Sequence, residues 1–193
     1  MSDKKNKVKY NLRNVHYAPI AEEAEGDGFP TYGTPVKWPG AVSLSMEAQG
    51  SISKFHADGI TYWQSAKNNG YEGDLEMALI PDQFRLDCLG EELHETDKVY
   101  LEKVTAKSTP FALLFEFEGD ATDTRHVLYN CTASRPSIEG NTTEDEVEPD
   151  TESLTISAAA LANGYVKART GTETTDEVVK AWYEKVYIPN KED

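Results

Sequence analysis

Residues 111–119 read Phe-Ala-Leu-Leu-Phe-Glu-Phe-Glu-Gly, and this stretch decides the fold class of the chain. Apolar residues recur at every second position and therefore share one face: Phe111, Leu113, Phe115 and Phe117. Alternation with a period of two predicts a half-buried β-strand. Two more strands are predicted after acidic turns, at 124–133 and 151–157. The region 109–158 is therefore predicted as three joined strands, which indicates a mainly β protein.

The same period-two pattern recurs before this region. It predicts strands at 8–17, 41–48 and 71–79, and a short strand at 99–104. The predicted strand at 71–79 has an apolar inner face made of Leu75, Met77 and Leu79. Its other face is acidic and carries Glu72, Asp74 and Glu76. Glu116 and Glu118 alternate in the same way with apolar residues of the strand at 111–119.

Two helices are predicted among the strands. The first covers about 81–89, because Pro81 suits a first helical turn and Gly90 can end a helix. The second covers about 176–186, where Val178, Trp182 and Val186 form an apolar stripe. Thr174 and Glu177 have the spacing of a capping box for this helix. Such a stripe either belongs to the core or contacts another subunit.

The stretch at 49–69 is a long connection that is unusually rich in large apolar residues. It contains Phe55, Ile60, Tyr62 and Trp63. Disordered loops are poor in aromatic residues, so these side chains are expected to pack against something. Either a hairpin folds back over its own sheet, or it reaches a neighbouring subunit. We favour the second interpretation and take these four as inter-subunit contact candidates, together with the stripe Val178, Trp182 and Val186.

Length and composition indicate one globular domain. The 193 residues suffice for a single domain over 1–193, with a flexible arm at 1–6 and a C-terminal extension at about 163–193. No apolar run approaches the roughly 20 residues that a membrane helix needs. No apolar stretch follows the basic N-terminus either, so synthesis in a cytoplasm is expected. Cys88 and Cys131 lack a disulfide spacing and are expected to be buried free thiols.

The net charge of −15, from 34 acidic and 19 basic residues, argues against tight binding of DNA. Affinity for duplex DNA comes largely from Lys and Arg side chains that neutralise phosphates. An acidic surface past which DNA slides is compatible with this charge. Simple solubility would explain the charge equally well.

Signatures of catalysis are missing from the sequence. The four histidines have no zinc-site spacing, and no nucleophile elbow or phosphate-binding glycine loop is present. The acidic stretch at 140–150 lacks the glycine and glutamate of a calcium-binding EF-hand and is expected to be a solvated turn. We therefore expect a protein that is not an enzyme and that uses no cofactor or metal.

Five segments in order resemble the major tail proteins of long, non-contractile-tailed phages. They lie at 12–18, 69–82, 111–119, 125–136 and 182–189. The resemblance implies a tail tube subunit with an antiparallel β-sandwich or barrel and one packed helix. It implies stacked hexameric rings in the virion tail, which form a channel for genome delivery. It also implies a tape measure protein and tail-end proteins as partners, with DNA passing through unbound.

The resemblance gives the acidic strand faces a role. Carboxylates that line the channel would not hold DNA, and the candidates for this lining are Glu72, Asp74, Glu76, Glu116 and Glu118. Two other readings remain open. The tube of a contractile injection or type VI secretion system has a related fold. A ligand-binding β-sandwich module is the third reading, with Trp38 and Trp63 in an aromatic platform.

Overall fold

The protein is mainly β, as the sequence predicts, and its strands form an antiparallel sheet. A computed structural model describes residues 5–26, 28–142 and 149–189. The strands are β1 (Lys9–Glu22), β2 (Thr31–Tyr32), β3 (Val36–Lys37), β4 (Ala41–Ala57), β5 (Ile60–Met77), β6 (Glu92–Leu93), β7 (Tyr100–Leu101), β8 (Phe111–Gly119), β9 (Thr124–Ala133), β10 (Glu152–Ala159) and β11 (Lys167–Arg169). The helices are α1 (Asp82–Phe84), which continues as a π-helical turn (Arg85–Leu89), and α2 (Asp176–Ala181).

Among the described residues, nine strands form one sheet in the order β2-β1-β8-β9-β10-β5-β4. β3 pairs with β1, β11 pairs with β9, and β6 and β7 form a separate two-stranded sheet. β4 lies at one end of the path, and the sheet does not close into a barrel. The predicted three-strand unit is present as β8, β9 and β10, each of them antiparallel to the next.

β8 is buried on both faces, whereas its alternation predicted a half-buried strand. Phe111, Leu113 and Phe115 belong to the main core, where α1 packs on the sheet. Ala112 and Leu114 belong to a second core on the opposite face. The sequence pattern described the first face correctly. It could not predict the second core, because the residues that cover that face come from distant parts of the chain.

The main core is built around the α1 region, close to the predicted span of 81–89. The Phe84 ring lies 4.3 Å from Trp38, 4.9 Å from Tyr17 and 5.3 Å from Phe111, measured between centroids. Phe84 is fully buried, so its replacement by alanine would cost about 3–5 kcal/mol. Gly90 ends the helical segment at a φ of 78°, as its sequence position predicts.

The C-terminal segment covers the second core. α2 is shorter than predicted and ends at Ala181, and the capping box is not formed. Thr175 is the N-cap residue, and its side chain makes no capping hydrogen bond. The Thr174 hydroxyl instead accepts a hydrogen bond from the backbone N–H of Gly171 at 2.8 Å. Trp182 is 2% exposed and stacks on Tyr187 at 5.5 Å.

Several predicted details differ in the structure. β5 ends at Met77, so Leu79 does not face inward and is instead 66% exposed. The carbonyl of Leu79 accepts the indole N–H of Trp38 at 3.0 Å. The strand predicted at 99–104 is reduced to Tyr100–Leu101. Cys88 and Cys131 are free and buried, as predicted.

Three predicted segments lie partly outside the described residues. The residues concerned are 1–4 of the expected N-terminal arm, 143–148 of the expected acidic turn and 190–193 of the expected C-terminal extension. Within the part that is described, none of the helices has the length and apolar character needed to cross a membrane.

Candidate assembly surfaces

β4 and β5 extend well beyond the sheet as a two-stranded ribbon. β10 pairs with β5 only from Tyr71 to Met77, whereas β4 and β5 continue to pair out to Ala57 and Ile60. Residues 50–68, called the ribbon below, therefore have no third strand beside them in the described chain. The strand predicted to end at 48 continues to Ala57, and the predicted connection at 49–69 is a hairpin that projects outward.

The tip of the ribbon is a tight turn, and the residue pair that forms it is typical of such turns. Asp58 and Gly59 have φ values of 52° and 79°, and positive φ at both central residues is typical of a type I′ hairpin turn. Asp-Gly between two strand-like runs is a strong hairpin signal. Both readings of 49–69 were hairpins, and this pair of residues additionally locates the turn, which the sequence reasoning had not done.

The base of the ribbon is a bulge that depends on glycine. The pairing shifts between Ala48 and Gly50, opposite Gly70. Gly70 has a φ of 94°, and a Cβ atom there would lie 2.0 Å from the carbonyl oxygen of Ala158. The β10 backbone therefore leaves no room for a side chain at this position. The bulge marks the point where the sheet ends and the free ribbon begins.

The four apolar residues singled out in this stretch lie exposed on the ribbon. The exposed fractions are 57% for Phe55, 63% for Ile60, 70% for Tyr62 and 55% for Trp63. Phe55 and Tyr62 contact each other edge to face at 6.5 Å, and Phe55 pairs with Trp63 across the strands. None of the four belongs to the two cores of the subunit. They place exposed apolar side chains at the far end of a narrow projection.

The predicted acidic face of β5 is present and continues onto both neighbouring strands. Glu72 and Asp74 are exposed, and Glu76 is half-buried, opposite the buried Leu75 and Met77. In register beside them lie Glu47, Ser43 and Ser45 on β4, and Ser153, Thr155 and Ser157 on β10. This face, called the acidic face below, contains no lysine or arginine at these positions.

Hydroxyl groups, not cations, hold the carboxylates of the acidic face. Ser43 and Thr151 donate hydrogen bonds to the two oxygens of Glu76 at 2.8 and 2.7 Å. These bonds hold the pKa of Glu76 below its usual value. Thr155 donates to Asp74 at 2.9 Å. Within the described chain, the carboxylates of this face form no ion pair.

Glu116 does not lie on an open surface, although the sequence made it a channel candidate. It is 2% exposed, and its oxygens accept bonds from Arg13 at 2.9 Å, Arg125 at 3.1 Å and Tyr183 at 3.0 Å. The C-terminal segment covers it, and a solvent-filled channel cannot reach it. Glu118 is 31% exposed and pairs with Arg13 at 3.4 Å. The buried carboxylate instead fastens the C-terminal segment to the sheet.

The apolar stripe of the C-terminal helix belongs to the subunit itself. Trp182 and Val186 are 2% and 6% exposed, and Val178 packs against the same core. Trp182 and Val186 are therefore buried within the subunit and not available to contact a neighbour, contrary to the prediction. Sequence spacing identified the stripe but could not say which surface it covers, because that surface is the outer side of β1, β8 and β9.

The aromatic platform of a ligand-binding module is not formed. Trp38 is 1% exposed and lies in the main core, while Trp63 lies on the ribbon. No group of three or more His, Cys, Asp or Glu residues in the described ranges could hold a metal ion.

No protein-family model matches the chain, and comparison with curated proteins finds no similar sequence. The resemblance to tail tube proteins therefore remains a prediction.

Proposed function

We propose that this protein is the structural subunit of a phage tail tube. In this proposal it is made in the host cytoplasm and assembles in the virion tail as stacked hexameric rings around a channel. The genome passes through the channel into the host without specific binding. A tape measure protein and tail-end proteins are the further partners that the family resemblance implies.

The exposed ribbon is the observation that carries the proposal. A two-stranded ribbon is marginally stable in water unless it packs against something. Phe55, Ile60, Tyr62 and Trp63 add four large exposed apolar side chains near its tip. Aromatic side chains of this kind are enriched among residues that dominate binding energy at interfaces. A neighbouring subunit would bury this surface and so supply the stability that the ribbon lacks alone.

The open sheet supports assembly in rings. β4 lies at one end of the strand order and leaves its outer edge unpaired in the described chain. Exposed edges of long strands invite pairing with another chain. Strands from six copies that continue edge to edge would give a large barrel with no free edges. We propose the finer description of the fold, a sandwich or barrel of the tail tube type, together with this function.

The acidic face is the surface best suited to line the channel. Glu72 and Asp74 are exposed, and Asp74 and Glu76 accept bonds from hydroxyls. Among the described residues these three carboxylates form no ion pair. Duplex DNA carries about one negative charge per 1.7 Å of its length, so such a lining repels it. Mutual repulsion among Glu72, Asp74 and Glu76 is relieved where water and counterions fill the adjacent space. A wide water-filled channel provides that space.

Light scattering coupled to size-exclusion chromatography, followed by negative-stain microscopy, tests the proposal. We expect ring-sized species at low concentration and hollow tubes at high concentration. Labelled duplex DNA should not bind to the assembled protein at physiological salt. A chain that stays monomeric at high concentration and never appears in tubes would refute the proposed function.

A further inference from the structure

A second exposed hairpin lies at the other end of β5 from the tip of the ribbon. β6 and β7 pair with each other and with no other strand of the described chain, and residues 92–101 are called the small hairpin below. The small hairpin follows α1, which begins shortly after β5 ends at Met77, whereas the tip of the ribbon precedes Ile60. The 18 residues of β5 extend over roughly 50–60 Å, so the two hairpins lie far apart within one subunit.

Polar contacts fasten the small hairpin to the body of the subunit. The Tyr100 hydroxyl donates a hydrogen bond to Asp82, the first residue of α1. Directly after the small hairpin, Glu102 forms an ion pair with Arg135, which follows the last residue of β9. The small hairpin is therefore a fixed surface at the end of the subunit where β5 and β9 end.

Exposed apolar side chains are concentrated on the two hairpins. Half of the large apolar side chains that are exposed in the described chain lie on one or the other. On the small hairpin they are Leu93, Val99, Tyr100 and Leu101, with exposed fractions between 38% and 52%. None of the four belongs to either core of the subunit. Because burial of apolar surface is favourable, a partner that covers these side chains would gain stability.

The two hairpins carry opposite formal charges. Two lysines, Lys54 and Lys67, and one acid give the ribbon a charge of +1, in a chain whose net charge is −15. Three acids and one lysine give the small hairpin a charge of −2. Glu92 is paired with Lys103 at 2.7 Å, and the other two acids, Glu95 and Asp97, lie in the exposed turn. The ribbon would therefore meet apolar side chains and opposite charge on the small hairpin.

We infer that the ribbon of one copy docks on the small hairpin of a second copy, end to end. This inference rests on the proposed function, and it names the surface that receives the ribbon. The ribbon cannot reach the small hairpin of its own subunit, because the two lie at opposite ends of β5. Two different surfaces of one chain form a heterologous contact, and such a contact repeats along an axis when its rotation does not close into a ring.

The apolar surface of the two hairpins is large enough for a specific contact. Five large side chains on the ribbon and four on the small hairpin are exposed. At roughly 70–100 Å² each, they would bury about 600–900 Å² of apolar surface in total. Apolar atoms make up a little over half of a typical interface, so the whole contact would bury about 1,000–1,500 Å². Specific interfaces bury about 1,200–2,000 Å², and the contact reaches this range.

Photocrosslinking from the ribbon identifies the surface that it contacts. The probe is p-benzoylphenylalanine placed at Tyr62, which is 70% exposed. Isotope-labelled and unlabelled chains are mixed before assembly, so that mass spectrometry separates links between copies from links within one copy. We expect links between copies that map to residues 92–101. Links to the acidic face, to a second ribbon or within one chain, in place of these, would overturn the inference.

Two variants of the small hairpin measure what the contact contributes. The first carries Leu93→Ser, Val99→Ser and Leu101→Ser and loses roughly 200 Å² of apolar contact. It should raise the protein concentration at which tubes form by about fiftyfold. The second carries Glu95→Lys and Asp97→Lys and should raise that concentration by about fivefold. Adding Lys54→Glu and Lys67→Glu to the second variant restores opposite charges and should recover most of this loss.

A matched control and a folding test accompany these variants. Val104→Ser with Ile138→Ser changes two fully exposed apolar side chains outside both hairpins and should assemble like the wild type. Circular dichroism and the urea midpoint show whether each variant folds. If the triple serine variant unfolds, the charge variants and the crosslinks decide the question.

The possible results separate this inference from the proposed function. Wild-type tubes combined with normal assembly of the folded small-hairpin variants would overturn the inference alone. Failure of the restored charges to recover assembly would overturn it as well. A wild-type chain that remains monomeric at high concentration would overturn both proposals.

Discussion

Replacing the four apolar side chains of the ribbon by serine should block assembly and leave the subunit folded. The substitutions are Phe55→Ser, Ile60→Ser, Tyr62→Ser and Trp63→Ser. All four side chains are more than half exposed and contact neither core. Exposed substitutions away from caps and cores usually change folding stability by no more than about 0.5 kcal/mol. We therefore expect the urea midpoint to remain close to that of the wild type.

The loss of assembly should be large. Large side chains bury about 150–250 Å² each, and the exposed fractions here leave roughly 100 Å² of each available to a partner. At about 25 cal/mol per Å², the four together contribute about 10 kcal/mol if a neighbour buries them completely. Ordering and desolvation oppose binding, so about half of this is a realistic net contribution. The concentration needed for tubes should then rise at least about a thousandfold.

Sedimentation of tubes across a protein concentration series measures this effect directly. Val104→Ser with Ile138→Ser is the matched control, because both side chains are fully exposed but lie far from the ribbon in sequence. The control should assemble like the wild type. If the ribbon variant also assembles like the wild type, the ribbon is not an assembly surface. If the ribbon variant unfolds, the four side chains stabilise the subunit itself.

Three further predictions concern single faces and single groups. Changing Glu72, Asp74 and Glu76 to lysine should leave tubes that assemble but retain DNA, so that genome ejection becomes slower. An unchanged rate of ejection would show that this face does not line the channel. Glu116→Ala should lower the free energy of unfolding by about 1–3 kcal/mol, because it removes the buried acceptor that Arg13, Arg125 and Tyr183 share. No measurable loss in urea titrations monitored by tryptophan fluorescence would contradict this. The pKa of His126 is lowered to about 4 by burial and nearby cations, so the folded state binds fewer protons than the unfolded state below pH 6.5. Stability that is fully present above pH 6.5 should therefore be lost as the pH falls towards 4, by about 2 kcal/mol after allowance for solvent screening, and His126→Gln should reduce that slope; identical slopes in the two proteins would refute the assignment.

Local patterns were sufficient to predict the class of fold. Alternation in β8, β9 and β10 and the helix-forming sequence around Phe84 are properties of neighbouring residues, and the structure has these elements. The buried thiols Cys88 and Cys131 were also predictable from composition. The alternation of β5 correctly separated the acidic Glu72 and Asp74 from the buried Leu75 and Met77. Such periodicity reports which side chains share a face, because it follows from backbone geometry alone.

The tertiary structure decided what each face meets. Glu116 and Glu72 occupy equivalent positions in their sequence patterns, yet Glu116 is buried under the C-terminal segment and Glu72 is exposed. Trp182 and Trp63 both appeared to be contact residues, yet Trp182 lies in the subunit's own core and Trp63 projects on the ribbon. Sequence periodicity defines a face but carries no information about its partner. That partner comes from residues distant in the chain, and only the packed fold brings them together.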